Sequence, residues 1–207
     1  MKGIGVLISG GGSNLQAIID AVNEGKINAV VKVVISDRRN AYGLVRARQS
    51  GIPAVYMNKK EYPDYESFNR AVLDVLKEHG VDIVVLAGYL SILSREVVEA
   101  YRHRIINIHP SLIPSFCGMG FYGERVHQAV LDYGARVTGA TVHFVDENAD
   151  TGPILLQKSV PVMEDDDAHT LSQRVLKVEH ELLPLAVALL ADDRVTVDGR
   201  KVTIKKL

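Results

Sequence analysis

The chain has 207 residues, of which 47% are hydrophobic and 24% charged, with a formal net charge of −1. That length accommodates one large α/β domain or a domain with an appendage, and the near-neutral balance without a long basic run argues against a dedicated nucleic-acid surface. The single cysteine, Cys117, precludes an intramolecular disulfide and fits a reducing compartment.

The first residues, Met1-Lys2-Gly3-Ile4-Gly5-Val6-Leu7-Ile8, form a short apolar run that Gly10, Gly11 and Gly12 interrupt. This suits a core strand better than a signal peptide, and no apolar segment approaches the ~18 residues of a membrane span. A cytoplasmic protein without membrane contact is expected.

In chain order, β-branched runs predict strands at Gly3–Ile8, Val30–Ile35, Ala54–Tyr56, Ile83–Leu86 and Ile105–Ile108. Helical periodicity falls between them, at Asn14–Val22, Leu44–Gln49, Tyr65–His79 and Arg95–Tyr101. Near-continuous apolar strands alternating with helices predict a parallel sheet covered on both faces. Two longer strands follow at Val137–Val145 and Ile154–Val162, then a helix from about His169 to Leu190 and a small hairpin around Asp198-Gly199. The acidic run Glu164–Asp167 reads as a charge cluster at that last helix's N-terminus. The expectation is one domain over 1–207, a Rossmann-like open α/β sheet, mostly parallel, with helices on both faces.

Ligands of such sheets bind beyond the carboxyl ends of the strands, and three polar constellations fall there. The turn Ser9-Gly10-Gly11-Gly12-Ser13-Asn14 offers close backbone approach and a helix N-terminus, a suitable cradle for a phosphate. It lacks the Gly-Lys-Ser/Thr of a Walker loop, and Leu15 occupies the third glycine position of a dinucleotide fingerprint. Asp37, after the second strand, would be the ribose-binding acid of a nicotinamide reading, which Leu15 weakens. Gly88 follows the fourth strand. Asn107-Ile108-His109-Pro110 closes the fifth, and its i, i+2 spacing in extended chain projects an amide and an imidazole side by side. Such a pair can stabilise and protonate an oxyanion.

A carboxylate in the connection Asp146–Pro153 would raise the pKa of His109 if the two met, although spacing alone does not bring them together. Glu179 borders the apolar stripe Leu171, Val175, Leu182 of the last helix. Cys117 has no flanking base to activate it and reads as an inert loop thiol. The histidines show no metal-ligand spacing, so no metal is expected.

Together, Leu7–Ile18, Val84-Val85-Leu86-Ala87-Gly88-Tyr89, Asn107–Pro114, Thr141-Val142-His143-Phe144-Val145 and Asp150-Thr151-Gly152-Pro153-Ile154 resemble the folate-dependent formyltransferases, in particular those acting on glycinamide ribonucleotide in purine biosynthesis. The resemblance runs from about Lys2 to near Leu190. It implies Asn107, His109 and Asp150 as the catalytic set. It further implies phosphate binding by Gly12, Ser13 and Asn14, and a ribose contact from Glu179. Leu86, Leu90, Ser91, Ile92, Leu93, Asn107, Val145 and Asp146 would line the pocket of 10-formyltetrahydrofolate, the cosubstrate. The chain departs from the family pattern at Ser91 and Tyr65, where relatives carry basic residues, and in the loop Phe116–Arg125, a candidate lid. The sibling activities, methionyl-tRNA formyltransferase and formyltetrahydrofolate deformylase, are expected to need further domains. A non-catalytic nucleotide-binding module would have no use for Asn107, His109 and Asp150 together.

Overall fold

A computed structural model describes residues 1–205. In chain order the elements are β1 (Lys2–Ile8), α1 (Ser13–Asn23), β2 (Ala29–Ser36), α2 (Tyr42–Gln49), β3 (Ala54–Tyr56), α3 (Tyr65–Glu78), β4 (Ile83–Leu86), α4 (Arg95–Ala100) and β5 (Ile105–His109). They continue with α5 (Glu124–Tyr133), β6 (Val137–Phe144), β7 (Ile154–Pro161), α6 (Ala168–Ala191), β8 (Val195–Asp198) and β9 (Lys201–Ile204).

Seven strands form one sheet in the order β3-β2-β1-β4-β5-β6-β7, and β8-β9 form a separate hairpin. β1 to β5 are parallel, whereas β6 runs antiparallel to β5 and β7 antiparallel to β6. Strand periodicity of two sends alternate side chains to opposite faces. Ile4, Val6 and Ile8 of β1 thus pack with α1 and α6, while Leu7 joins Phe68, Val72 and Leu76 of α3 and Val97 of α4. Burial on both faces is why these strands read as unbroken apolar runs.

The expected strands and helices are present within one or two residues of their predicted ends. α5 was not foreseen. Its buried face consists of Val126, His127 and Val130, so a histidine interrupts the apolar repeat, and its first turn adjoins a glycine-rich loop. A short 3₁₀ turn at Lys59–Glu61 is likewise new.

α6 starts where the acidic run ends. Asp167 caps it through a reciprocal bond with Thr170, and Asp166 pairs with Arg174. The acids therefore organise a helix entry. No described helix is long and apolar enough to cross a membrane.

Candidate active site

The carboxyl ends of β4 and β5 open into a cavity of about 440 Å³. Its wall contains all eight residues expected at the folate pocket, Leu86, Leu90, Ser91, Ile92, Leu93, Asn107, Val145 and Asp146, and also His109 and Asp150. Leu90 and Ile92 stay 52% and 48% exposed because they face this space, an apolar surface suited to a flat heterocycle.

Asp150 is the hub. Its Oδ1 accepts a long bond from Asn107 Nδ2 at 3.5 Å and lies 3.5 Å from His143 Nε2. Its Oδ2 lies 3.6 Å from His109 Nδ1 and accepts the Gly118 N–H at 2.8 Å. Asp150 takes a left-handed φ of 57°, a conformation Asp tolerates better than most residues and one that turns its carboxylate inward. The following Gly152 is obligatory, because a side-chain carbon there would come within 1.8 Å of the Phe144 carbonyl oxygen. Asp146, by contrast, accepts Asn148 N–H at 3.2 Å and Thr151 Oγ1 at 2.6 Å, which folds its own loop.

His143 was not singled out from sequence as a site residue. The antiparallel β5–β6 register sets it directly opposite Asn107, on the same face of the sheet. A carbonyl only accepts, so His143 Nδ1–H donates to Phe144 O at 2.8 Å, leaving Nε2 to accept Asn107 Nδ2 at 3.1 Å. By the same logic His109 Nε2–H donates to Phe116 O at 2.9 Å. Both amide hydrogens of Asn107 and the ring hydrogen of His109 are thus held within the protein.

Burial pushes the His109 imidazolium below its ordinary pKa, and the opposing pull of Asp150 does not make up the difference. This corrects the expectation that a carboxylate partner would favour the charged form: the two groups meet, but desolvation wins. Burial raises Asp150, yet the adjoining His143 and His109 rings and the Gly118 N–H together leave its carboxyl below the usual range.

The glycine turn forms a second cluster. Gly12, at φ 72°, precedes α1 and touches Gly43 of α2, where a side-chain carbon would approach Gly43 Cα to 2.6 Å. Gly10 and Gly11 face open space, and no side chain caps α1, so its first N–H groups are free for an anion. Asn14 and Glu179 meet inside the protein: Asn14 Nδ2 donates to Glu179 Oε2 at 2.7 Å, and each residue is 8% exposed. Burial raises the Glu179 carboxyl, and the Asn14 bond lowers it by less. Asn14 Oδ1 is buried without a partner.

Gly12, Ser13, Asn14 and Glu179 do not line this apolar-walled cavity; Ser13 instead borders a separate hollow between α1 and α6. The two clusters are stitched together, since Ser9 N–H donates to Gly88 O at 3.0 Å and Leu90 N–H to Ser9 Oγ at 2.9 Å.

Asp37 completes that stitching and is not a free ribose-binding acid. It accepts Ser9 Oγ at 2.6 Å and Ser91 Oγ at 2.5 Å, with Lys59 Nζ at 3.5 Å. Tyr65 Oη donates to Ile92 O at 3.3 Å. The loop ahead of α5 contributes Gly118 to Gly123 to the cavity wall, and burial pushes the Cys117 thiol up, as for an unreactive group. Among the described residues no group of three or more His, Cys, Asp or Glu is placed to hold a metal.

The chain is 42% identical over 195 residues to a chloroplastic phosphoribosylglycinamide formyltransferase of Arabidopsis thaliana, covering 94% of this chain and 67% of that one. It is 45% identical over 192 residues to the trifunctional purine biosynthetic protein adenosine-3 of Bos taurus, but spans only 18% of that protein's length. A crystal structure of glycinamide ribonucleotide transformylase 1 from Symbiobacterium toebii matches with a TM-score of 0.95 and 46% identity, covering 100% of this chain and 95% of the other. Residues 2–187 match the family described as formyl transferase, and the chain belongs to that family.

Proposed function

We propose that the protein transfers a formyl group from 10-formyltetrahydrofolate to the amine of glycinamide ribonucleotide in de novo purine biosynthesis, as one cytoplasmic domain spanning 1–207. It needs neither a metal nor a nucleic-acid or membrane partner. The observation that carries this reading is the meeting of Asn107, His109 and His143 around Asp150 at the head of the apolar-walled cavity.

In this reading the amine nitrogen bonds to the formyl carbon and the carbonyl electron pair moves to oxygen. Asn107 exchanges its long contact with Asp150 for that oxygen, and His109 redirects its N–H from Phe116 to the same atom. Asp150 takes the amine proton through a water. As the C–N10 bond breaks, N10 is protonated and tetrahydrofolate leaves. His143 fixes the Asn107 amide. Gly12, Ser13 and Asn14 bind the phosphate with the first N–H groups of α1, and Glu179 meets the ribose.

Mixing the protein with both substrates and following tetrahydrofolate tests this. Product is expected only when glycinamide ribonucleotide is present. Formate release without it would indicate a deformylase, and no turnover would favour a binding module.

A further inference from the structure

Among the described residues lining the cavity, Arg38 is the one lysine or arginine, while Asp146 and Asp150 supply two carboxylates. Arg38 follows β2, next to Asp37, and is exposed. Its acidic neighbour does not neutralise it. The Asp37 carboxylate is taken up by Ser9, Ser91 and Lys59, and no ion pair or side-chain hydrogen bond holds the Arg38 guanidinium among the described residues. A cavity wall thus presents an uncommitted planar fork of N–H donors, the group best matched to a carboxylate.

The sheet fixes where that fork lies relative to the reacting groups. In the order β2-β1-β4-β5-β6, Arg38 leaves the end of β2, whereas Asn107 and His109 end β5 and Asp150 follows β6. Strands are spaced by about 4.8 Å, so β2 and β6 lie roughly 19 Å apart, on the scale of an extended pteroylglutamate. With the formyl group against Asn107 and His109 and the pterin beneath the Val145–Asp146 segment, the benzoyl arm runs back along Gly88–Leu93. Its glutamate then arrives at the β2 end of the cavity. This rests on the formyltetrahydrofolate reading above.

We propose that Arg38 binds the glutamate carboxylates of the folate cosubstrate. The charge distribution agrees: the anionic end of the ligand meets the cationic end of the cavity, and Asp146 and Asp150 face its neutral ring and the incoming amine.

The test compares two formyl donors, 10-formyltetrahydrofolate and 10-formyltetrahydropteroate, which lacks the glutamate, on wild type, Arg38→Ala and Arg38→Lys. Wild type is expected to prefer the glutamyl donor in KM by about two- to fivefold, the value of an exposed charge pair. Arg38→Ala should lose that preference and Arg38→Lys should recover part of it, with added salt shrinking it in wild type. Equal weakening for both donors, or a preference that survives in Arg38→Ala, would overturn the assignment. Should wild type transfer nothing to glycinamide ribonucleotide, the proposed function fails. Calorimetric titration with tetrahydrofolate and tetrahydropteroate would then decide the Arg38 question by the same ratio.

Discussion

Asp150 Oδ2 stands 3.6 Å from His109 Nδ1, yet the imidazole remains easier to deprotonate than free histidine. His109 is 4% exposed, and removing an imidazolium from water costs more than this one carboxylate returns. At neutral pH the pair is therefore a neutral ring beside an ionised acid. That is the state from which a ring N–H donates to an oxyanion and a carboxylate accepts a proton.

Activity should then respond to pH in a definite direction. Because the folded pKa of His109 lies below 6.5, kcat/KM divided by the fraction of substrate amine left unprotonated should hold constant as pH falls through 6.5 and decline only below it, as His109 becomes charged. A pH profile of the free enzyme with its acid limb above 6.5 would contradict the neutral ring.

The two acids of the β6–β7 connection separate by geometry. Asp150→Asn should lose most turnover, on the order of 10²-fold or more, while ligand binding persists. Asp146→Asn should affect mainly the order of its own loop, with a smaller loss. Steady-state kinetics on both variants checks the ranking, and its reversal would move the catalytic role to Asp146.

Glu179 is predicted to trade stability for binding. Its folded pKa lies above the ordinary 4.5, so the charged form is disfavoured and stability declines as pH rises from 4.5 through the folded value. Glu179→Gln should therefore melt higher than wild type at neutral pH, by about 2–4 °C for each kcal/mol regained. The KM for glycinamide ribonucleotide should rise in the same variant. A lower melting temperature at neutral pH would show that the carboxylate is satisfied in the fold.

His127 of α5 gives a prediction independent of catalysis. Burial pushes its pKa down to about 4, so the unfolded chain binds a proton that the native state refuses. Stability is lost as pH falls from about 6.5 towards 4. His127→Gln should unfold at lower pH than wild type in an acid titration followed by circular dichroism, and an unchanged midpoint would rule His127 out as an acid trigger.

Much of this architecture is legible in the sequence. Parallel strands buried on both faces advertise themselves as apolar runs, and Asn107 and His109 could be paired by the i, i+2 rule alone. Pairings across the sheet were less accessible. His143 faces Asn107 only because of the β5–β6 register, and Asn14 meets Glu179 across 165 residues of sequence. Such contacts depend on strand register and helix docking, which local spacing does not encode. The sign of the His109 shift was also hidden, since it balances burial against a charge and sequence reveals only the charge.

The most direct test of the catalytic account is the single-turnover rate of formyl transfer by His109→Ala, measured on protein shown by circular dichroism to be folded. With the ring N–H gone, the rate should fall by about 10²–10³ while both substrates still bind. A folded His109→Ala protein that forms tetrahydrofolate at close to the wild-type rate would contradict the account.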